Sequence, residues 1–283
     1  MVSMGRKKTW RWRVADRSLN PALGLLYEPG NWGDVLKGEW AIRVARSLAR
    51  SGALRVIDPY AGFAEYPAVE AARKRLEALP PCAFREAQRP FLERGALAST
   101  SRTVLETATV EGAAAEIAVF DADPVRLESW TSVPGASRLP LASGEQIVTR
   151  LDRLAEDPAL ILIDPYDLFD RFELFLPGMA AAARRCAVLF YCYDKSPRGP
   201  GEGRVSLALH SEMERTFRET GGHLTGRIPA DAGLARAYHE VFLAGPPALL
   251  GPLAPELGQS TRLLARHLAD LGCFEDRLSP PGG

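Results

Sequence analysis

Short apolar runs alternate with amphipathic, helix-like segments along most of this chain. The runs indicate buried strands at 53–57, 115–120, 159–163, 187–193, 222–228 and 238–244. Helical patterns occupy 34–51, 66–112 with a break at Pro80-Pro81, 124–130, 144–156, 170–184, 208–220 and 256–271. Strands that alternate with helices predict an α/β fold, with a mostly parallel sheet and helices on both of its faces.

The spacing of the first two strands predicts an insertion. Asp58 and Asp121, which follow these strands, are 63 residues apart, against about 20 in a simple dinucleotide-binding fold. We therefore expect an inserted helical segment at roughly 66–110. A chain of 283 residues otherwise suits one large domain, here expected at 21–275.

The two ends of the chain differ from this domain. The tail at 276–283 is expected to be loose. The basic segment at 1–20 interleaves Trp10 and Trp12 with arginine and lysine, and cations beside aromatic rings can hold phosphates and stack on bases. A solvated, poorly ordered terminus is the other interpretation, and both stay open.

Composition excludes several classes of protein. Apolar residues make up 46% of the chain, which excludes disorder throughout. Lys and Arg number 35 against 35 Asp and Glu, which argues against coating nucleic acid by bulk charge, although a local basic patch remains open. The longest clean apolar stretch, 187–193, is far shorter than the ~20 residues of a membrane-spanning helix. We expect no association with a membrane.

Cysteines and histidines show no metal-binding pattern. The four cysteines lack C-x-x-C spacing, so small core residues are the expected role for Cys186 and Cys192. No pair among the four histidines has the spacing of metal ligands; only His239, in an apolar strand, merits inspection as a functional residue. We expect no metal. No signal peptide pattern is seen, and a reducing cytoplasm is the expected compartment.

Three predicted strands end in a carboxylate: Asp58, Asp121 and Asp164. Ligands of open α/β sheets bind beyond the carboxyl ends of the strands, so the three acids suggest a shared site. Plain helix caps are the alternative. The loop Asp58-Pro-Tyr-Ala-Gly-Phe-Ala64 has the layout of a nucleotide-binding turn and is similar to the S-adenosylmethionine loop of class I methyltransferases. Asp121 could accept two hydrogen bonds from ribose hydroxyls.

The stretch Ile161-Leu-Ile-Asp164-Pro-Tyr-Asp167 resembles the D-P-P-Y motif of amino-methyltransferases. The amine of adenine is a weak nucleophile because its lone pair is delocalised into the ring. A carboxylate and a backbone carbonyl can hold both amine protons and expose that lone pair, while an aromatic ring stacks on the flipped base. The alternative is a turn that Asp164 caps.

Several motifs together resemble one family, the large-subunit ribosomal RNA adenine-N(6)-methyltransferases of the J type. Gly30-Asn-Trp-Gly-Asp-Val-Leu-Lys37 is similar to the family motif G-N-x-x-D-V-L-K-H. Phe120-Asp121-Ala-Asp-Pro124, Ala142-Ser-Gly-Glu-Gln146 and Leu160-Ile-Leu-Ile-Asp-Pro165 follow in the family's order. The resemblance runs across roughly 23–270. It implies a class I, Rossmann-like methyltransferase fold, S-adenosylmethionine as cofactor, and ribosomal RNA, which the enzyme would process, as partner.

The resemblance also assigns residues by position. Asp121 would hold the ribose, and Tyr60, Thr103, Ser143 and Gly144 would line the cofactor pocket with Lys37 nearby; the first loop adds Asp58 and Gly62 to the cofactor-binding residues. Asp164 would accept a hydrogen bond from the target amine, and Pro165 and Tyr166 would complete the base pocket. The oligomeric state is not implied.

The site departs from the family pattern at several positions. Gly38 and Tyr60 replace histidines, Ala64 replaces a glycine and Ser143 replaces an aspartate. The D-P-P-Y motif has become D-P-Y-D. Three functions therefore stay open: methylation of an adenine amino group in ribosomal or other structured RNA, methylation of a small molecule or another nucleic acid, and binding by a relative that has lost catalysis.

Overall fold

The structure is a computed structural model that describes residues 29–139, 144–154, 159–164, 172–195, 202–229 and 237–271. The predictions for the segments 1–20 and 276–283 lie outside the described residues. Within these ranges no helix has the length and the apolar composition needed to cross a membrane.

Seven of the described strands form one sheet. They are β1 (Ala53–Asp58), β4 (Ala114–Val119), β5 (Ala136–Arg138), β6 (Ala159–Ile163), β7 (Ala187–Lys195), β8 (His223–Pro229) and β9 (Ala237–Ala244). Their order is β5-β4-β1-β6-β7-β9-β8. Neighbouring strands from β5 to β7 pair in parallel, and β9 is antiparallel to both of its neighbours. The predicted mostly parallel sheet is confirmed.

Helices cover both faces of this sheet, as predicted. The helices are α1 (Trp32–Ala49), α2 (Glu70–Ala78), α3 (Ala83–Glu93), α4 (Thr100–Val110), α5 (Pro124–Glu128), α6 (Gly144–Val148), α7 (Leu151–Leu154), α8 (Phe172–Ala183), α9 (Glu202–Thr220) and α10 (Pro247–Asp270). One hydrophobic core joins one face of the sheet to α1, α4 and α10, and a second joins the other face to α6, α7, α8 and α9.

Alternation along the central strands supplies both cores. Val56 and Leu162 belong to the core on the α1 face, whereas Ile57 and Ile161 belong to the core on the opposite face. Successive side chains of a strand point to opposite faces, so a strand buried on both sides needs an unbroken apolar run. This is why these runs could be recognised in the sequence.

The segment between β1 and β4 contains α2, α3 and α4 together with a small antiparallel pair, β2 (Glu65–Pro67) and β3 (Ala96–Ala98). Two buried polar side chains fasten it. Glu39 on α1 accepts a hydrogen bond from the Phe84 amide at 2.8 Å. The Gln88 side chain donates a hydrogen bond to the Ala98 carbonyl oxygen and accepts one from the Ala98 amide. The strands β2, β3 and β5 were not predicted, because three residues are too short to show a period.

Some helix boundaries differ from the predictions. The last helix begins at Pro247, nine residues before the predicted start at 256. Pro252 and Pro255, which lie inside this helix, obscured an apolar stripe in which Leu250, Leu253 and Leu257 are buried. The predicted helix at 144–156 is instead two short helices, α6 and α7.

The cysteine prediction holds for the described residues. Cys82, Cys186 and Cys192 are buried and form no disulfide. Cys273 lies outside the described residues.

Candidate functional site

Sheet topology gathers the three strand-end carboxylates at one edge. The central strands β4, β1 and β6 are neighbours and run parallel, with Asp58 level with Val119 and Ile57 level with Ile161. Asp121 lies two residues beyond the end of β4, and Asp164 directly follows β6. All three therefore stand where parallel strands end, the usual position of a ligand site in such sheets.

Lys37 ties α1 to the end of β6. Its ammonium forms an ion pair with the Asp164 carboxylate and lies 3.1 Å from Asp34 Oδ1. The Asn31 side chain caps this helix by accepting hydrogen bonds from the amides of Gly33 and Asp34, which aligns the first turn. A lysine that was expected near the cofactor thus contacts the proposed catalytic carboxylate.

Charge compensation keeps this lysine ionised. Lys37 is buried, and burial by itself would lower its pKa, but Asp164 and Asp34 outweigh that effect and hold the pKa well above its ordinary value. The Asp164 side chain is 32% exposed to solvent. One face of this carboxylate is therefore held by a cation while the rest remains accessible to a ligand.

Asp58 is a buried acid with few compensating charges. Its carboxylate accepts a hydrogen bond from the Tyr60 amide at 2.8 Å and another from the Ser101 hydroxyl. Burial raises its pKa to about 6, although these hydrogen bonds and Lys37 oppose the shift. Asp58 therefore changes its protonation state close to neutral pH.

The raised pKa predicts a pH dependence of folding stability. Between about pH 4 and pH 6 the folded protein binds more protons at Asp58 than the unfolded chain, so stability falls as pH rises through this window. The difference amounts to at most about 3 kcal/mol. The variant Asp58→Asn is expected to lose this component. Denaturant unfolding of both proteins from pH 4 to 7.5 measures it, and parallel stability curves would contradict the assignment.

Asp121 fixes the loop after β1. Its Oδ2 accepts a hydrogen bond from the Gly62 amide at 3.0 Å, and its Oδ1 accepts one from the Asp123 amide at 2.8 Å. Gly62 has φ +61°, a conformation that favours glycine, and its carbonyl accepts a hydrogen bond from Trp130 Nε1. Arg126 Nη1 forms an ion pair with Oδ2 at 3.7 Å, beyond hydrogen-bond distance. Each carboxylate oxygen can accept a second hydrogen bond, so Asp121 keeps capacity for a hydroxyl ligand.

Tyr60 and Gly144 meet beside this loop. A Cβ at position 144 would lie 2.6 Å from the Tyr60 ring and 2.9 Å from the Pro59 carbonyl oxygen, so glycine lets α6 approach the loop closely. Thr103 is fully buried, and its hydroxyl donates to the backbone carbonyls of Ser99 and Thr100 at the start of its helix. Ser143, Pro165 and Tyr166 lie outside the described residues.

Three residues near this edge were not predicted from the sequence: Asp34, Ser101 and Tyr191. His239 was singled out by its place in an apolar strand, but its contact with Tyr191 was not predicted. Asp34 stands in the motif that ends at Lys37, and its three-residue spacing from the lysine was the available signal. The contacts of Ser101 with Asp58 and of Tyr191 with His239 join distant parts of the chain, so no local pattern could reveal them. Within the described ranges no group of three potential metal ligands occurs.

Comparisons with known proteins establish the fold. No protein-family model and no curated protein sequence matches the chain. Among solved structures, protein LPL1258 of Legionella pneumophila, described as a DUF519 protein, is similar over 86% of this chain and 93% of its own, with a TM-score of 0.62 at 13% identity.

A second structure is less similar. The O-methyltransferase TomG of Streptomyces achromogenes, solved with S-adenosylmethionine, matches 83% of this chain and 97% of its own with a TM-score of 0.38 at 11% identity. The strand order itself, with parallel neighbours from β5 to β7 and one reversed strand at β9, shows that the chain has the class I methyltransferase fold, Rossmann-like and mostly parallel.

Proposed function

We propose that this protein is an S-adenosylmethionine-dependent methyltransferase that acts on an amino group of adenine in ribosomal or other structured RNA. One observation carries the proposal. Asp164 lies at the end of a central strand, beside the Asp58 loop, with its carboxylate partly exposed and held by a buried lysine. This is the position in which a fixed acceptor can orient an amine toward a cofactor bound at the neighbouring strand ends.

The residues at the ends of β1 and β4 fit the cofactor. Asp121 already accepts a hydrogen bond from the amide of Gly62, and its carboxylate has acceptor capacity left for the two ribose hydroxyls. A loop with a left-handed glycine lets a ligand approach its backbone closely. When bound, S-adenosylmethionine would supply a methyl group on a positively charged sulfonium. Asp58 is buried and has a pKa of about 6. In its ionised form it would contribute negative charge beside the sulfonium.

Asp164 would orient the amine of the substrate. A carboxylate is an acceptor only, so it can take a hydrogen bond from the amine and leave the nitrogen lone pair directed at the methyl group. Lys37 holds the carboxylate in place before the substrate arrives. Such preorganisation of position and charge is the main source of rate for a direct transfer. Pro165 and Tyr166 are proposed to complete the base pocket.

Two measurements, made one after the other, test the proposal. Calorimetry with S-adenosylmethionine asks whether the cofactor binds, and an absence of heat at millimolar cofactor would favour a binding protein that has lost catalysis. Methyl-labelled cofactor is then incubated with protein-free ribosomal RNA, with small molecules and with DNA. Label in N6-methyladenine of the RNA supports the proposal, whereas label only in another acceptor moves the substrate to that class.

Asp121 offers a test of the cofactor site. In the variant Asp121→Ala, loss of a charge-assisted hydrogen bond is expected to weaken cofactor binding by about 1.5–3 kcal/mol, or roughly 10- to 150-fold in Kd. Asp123→Ala is the matched control, because it removes a nearby carboxylate that caps α5 at Val125. Calorimetry that shows equal Kd values for Asp121→Ala and the wild type would contradict this role.

A further inference from the structure

Tyr191 and His239 form a pair next to the ion pair of Lys37 with Asp164. A hydrogen bond of 2.6 Å joins the Tyr191 hydroxyl to His239 Nδ1. The two rings are stacked, with centroids 6.0 Å apart and an angle of 24° between their planes. His239 is buried and Tyr191 partly so. The tyrosine hydroxyl is thus anchored by a side chain from the neighbouring strand.

The Tyr191 ring of this pair also faces Lys37. Lys37 Nζ lies 5.4 Å from the centroid of the Tyr191 ring, within the range of a cation–π interaction. Strand register agrees, since Ile163 is level with Phe190, which places Asp164 and Tyr191 side by side. These residues therefore line up in the order His239, Tyr191, Lys37 and Asp164.

Helix α1 has a glycine, Gly33, where it packs against Tyr191 and His239. A Cβ at Gly33 would lie 2.2 Å from the Tyr191 hydroxyl oxygen and 2.7 Å from His239 Nδ1. Such distances are far below van der Waals contact, so any other residue would displace both rings. The glycine lies only one turn before Lys37, and the helix that carries the lysine is thereby held directly against the pair.

We propose that Tyr191 and His239 are positioning residues of the methyl-transfer site: their hydrogen-bonded pair fixes the tyrosine ring against Lys37, and Lys37 in turn fixes the carboxylate of Asp164. This inference rests on the proposed function. Neither residue is required to touch the substrate. Their contribution is the orientation of an acceptor that reaches the amine only in one geometry.

The experiment compares Tyr191→Phe and His239→Gln with the wild type in methyl transfer. Tyr191→Phe keeps the ring and removes only its anchor, so we expect kcat to fall about tenfold while KM changes less than about twofold. The kcat of the double variant should be no lower than that of either single variant, because both substitutions remove the same hydrogen bond. Tyr238→Phe is the matched control, since its ring packs on Arg227 from the other face of β9.

A spectroscopic readout reports on the pair independently of transfer. With ¹⁵N-labelled histidine, the imidazole signal that is missing in His239→Gln should shift in Tyr191→Phe and stay unchanged in Tyr238→Phe. A wild-type kcat in both single variants, or an unmoved His239 signal, overturns the positioning role while the proposed function stands. A wild-type protein that transfers no methyl group overturns both.

Discussion

Replacing Asp164 with asparagine is expected to lower the rate of methyl transfer by about 10³-fold, the effect of removing one preorganised electrostatic contact at a reacting centre. Asparagine has nearly the same shape, but its amide presents a donor where the amine of the substrate also presents donors. Lys37 keeps Asp34 as a partner, so folding is preserved. Cofactor binding should change little, because Asp121 and the Gly62 loop are untouched.

Single-turnover transfer of labelled methyl groups, together with calorimetry of cofactor binding, measures both parts of this expectation. Asp270→Asn, at the exposed end of α10, is the control and should behave as the wild type. A transfer rate in Asp164→Asn equal to that of the wild type would refute the role assigned to this carboxylate. Equal loss of cofactor affinity and rate would instead place Asp164 in the cofactor site.

The second large effect is expected on stability. In Lys37→Met the carboxylates of Asp34 and Asp164 lose their shared cation, and the free energy of unfolding at pH 7 should fall by about 3 kcal/mol. This lies at the lower end for a buried ion pair, because Asp164 is about one-third exposed and water screens it. Methyl transfer should fall as well, since the acceptor is no longer held in place.

Denaturant unfolding checks the stability change, and Lys74→Met is its control. Lys74 pairs with Glu70 at 3.3 Å on the surface of α2, and an exposed pair of this kind contributes about 0.3–0.5 kcal/mol. Equal stability of Lys37→Met and the wild type at pH 7 would show that the ion pair is not formed.

Much of the fold could be predicted because it depends on local patterns. The strand 159–163 was placed at its observed bounds, since a strand covered on both faces is apolar at every position. The start of α10 was missed because Pro252 and Pro255 interrupt the pattern in an element that packing nevertheless stabilises. The three-residue strands β2, β3 and β5 were missed because their pairing depends on partners elsewhere in the chain.

The site followed the same division. By itself the sequence determined where Asp58, Asp121 and Asp164 stand relative to their strands, because each comes at the end of an apolar run. Only the tertiary structure decided what these acids contact. Lys37 and Asp164 are 127 positions apart, and Tyr191 and His239 are 48 apart. Such pairs meet through strand order and register, which arise from packing of the whole sheet and leave no mark in the local pattern of either residue.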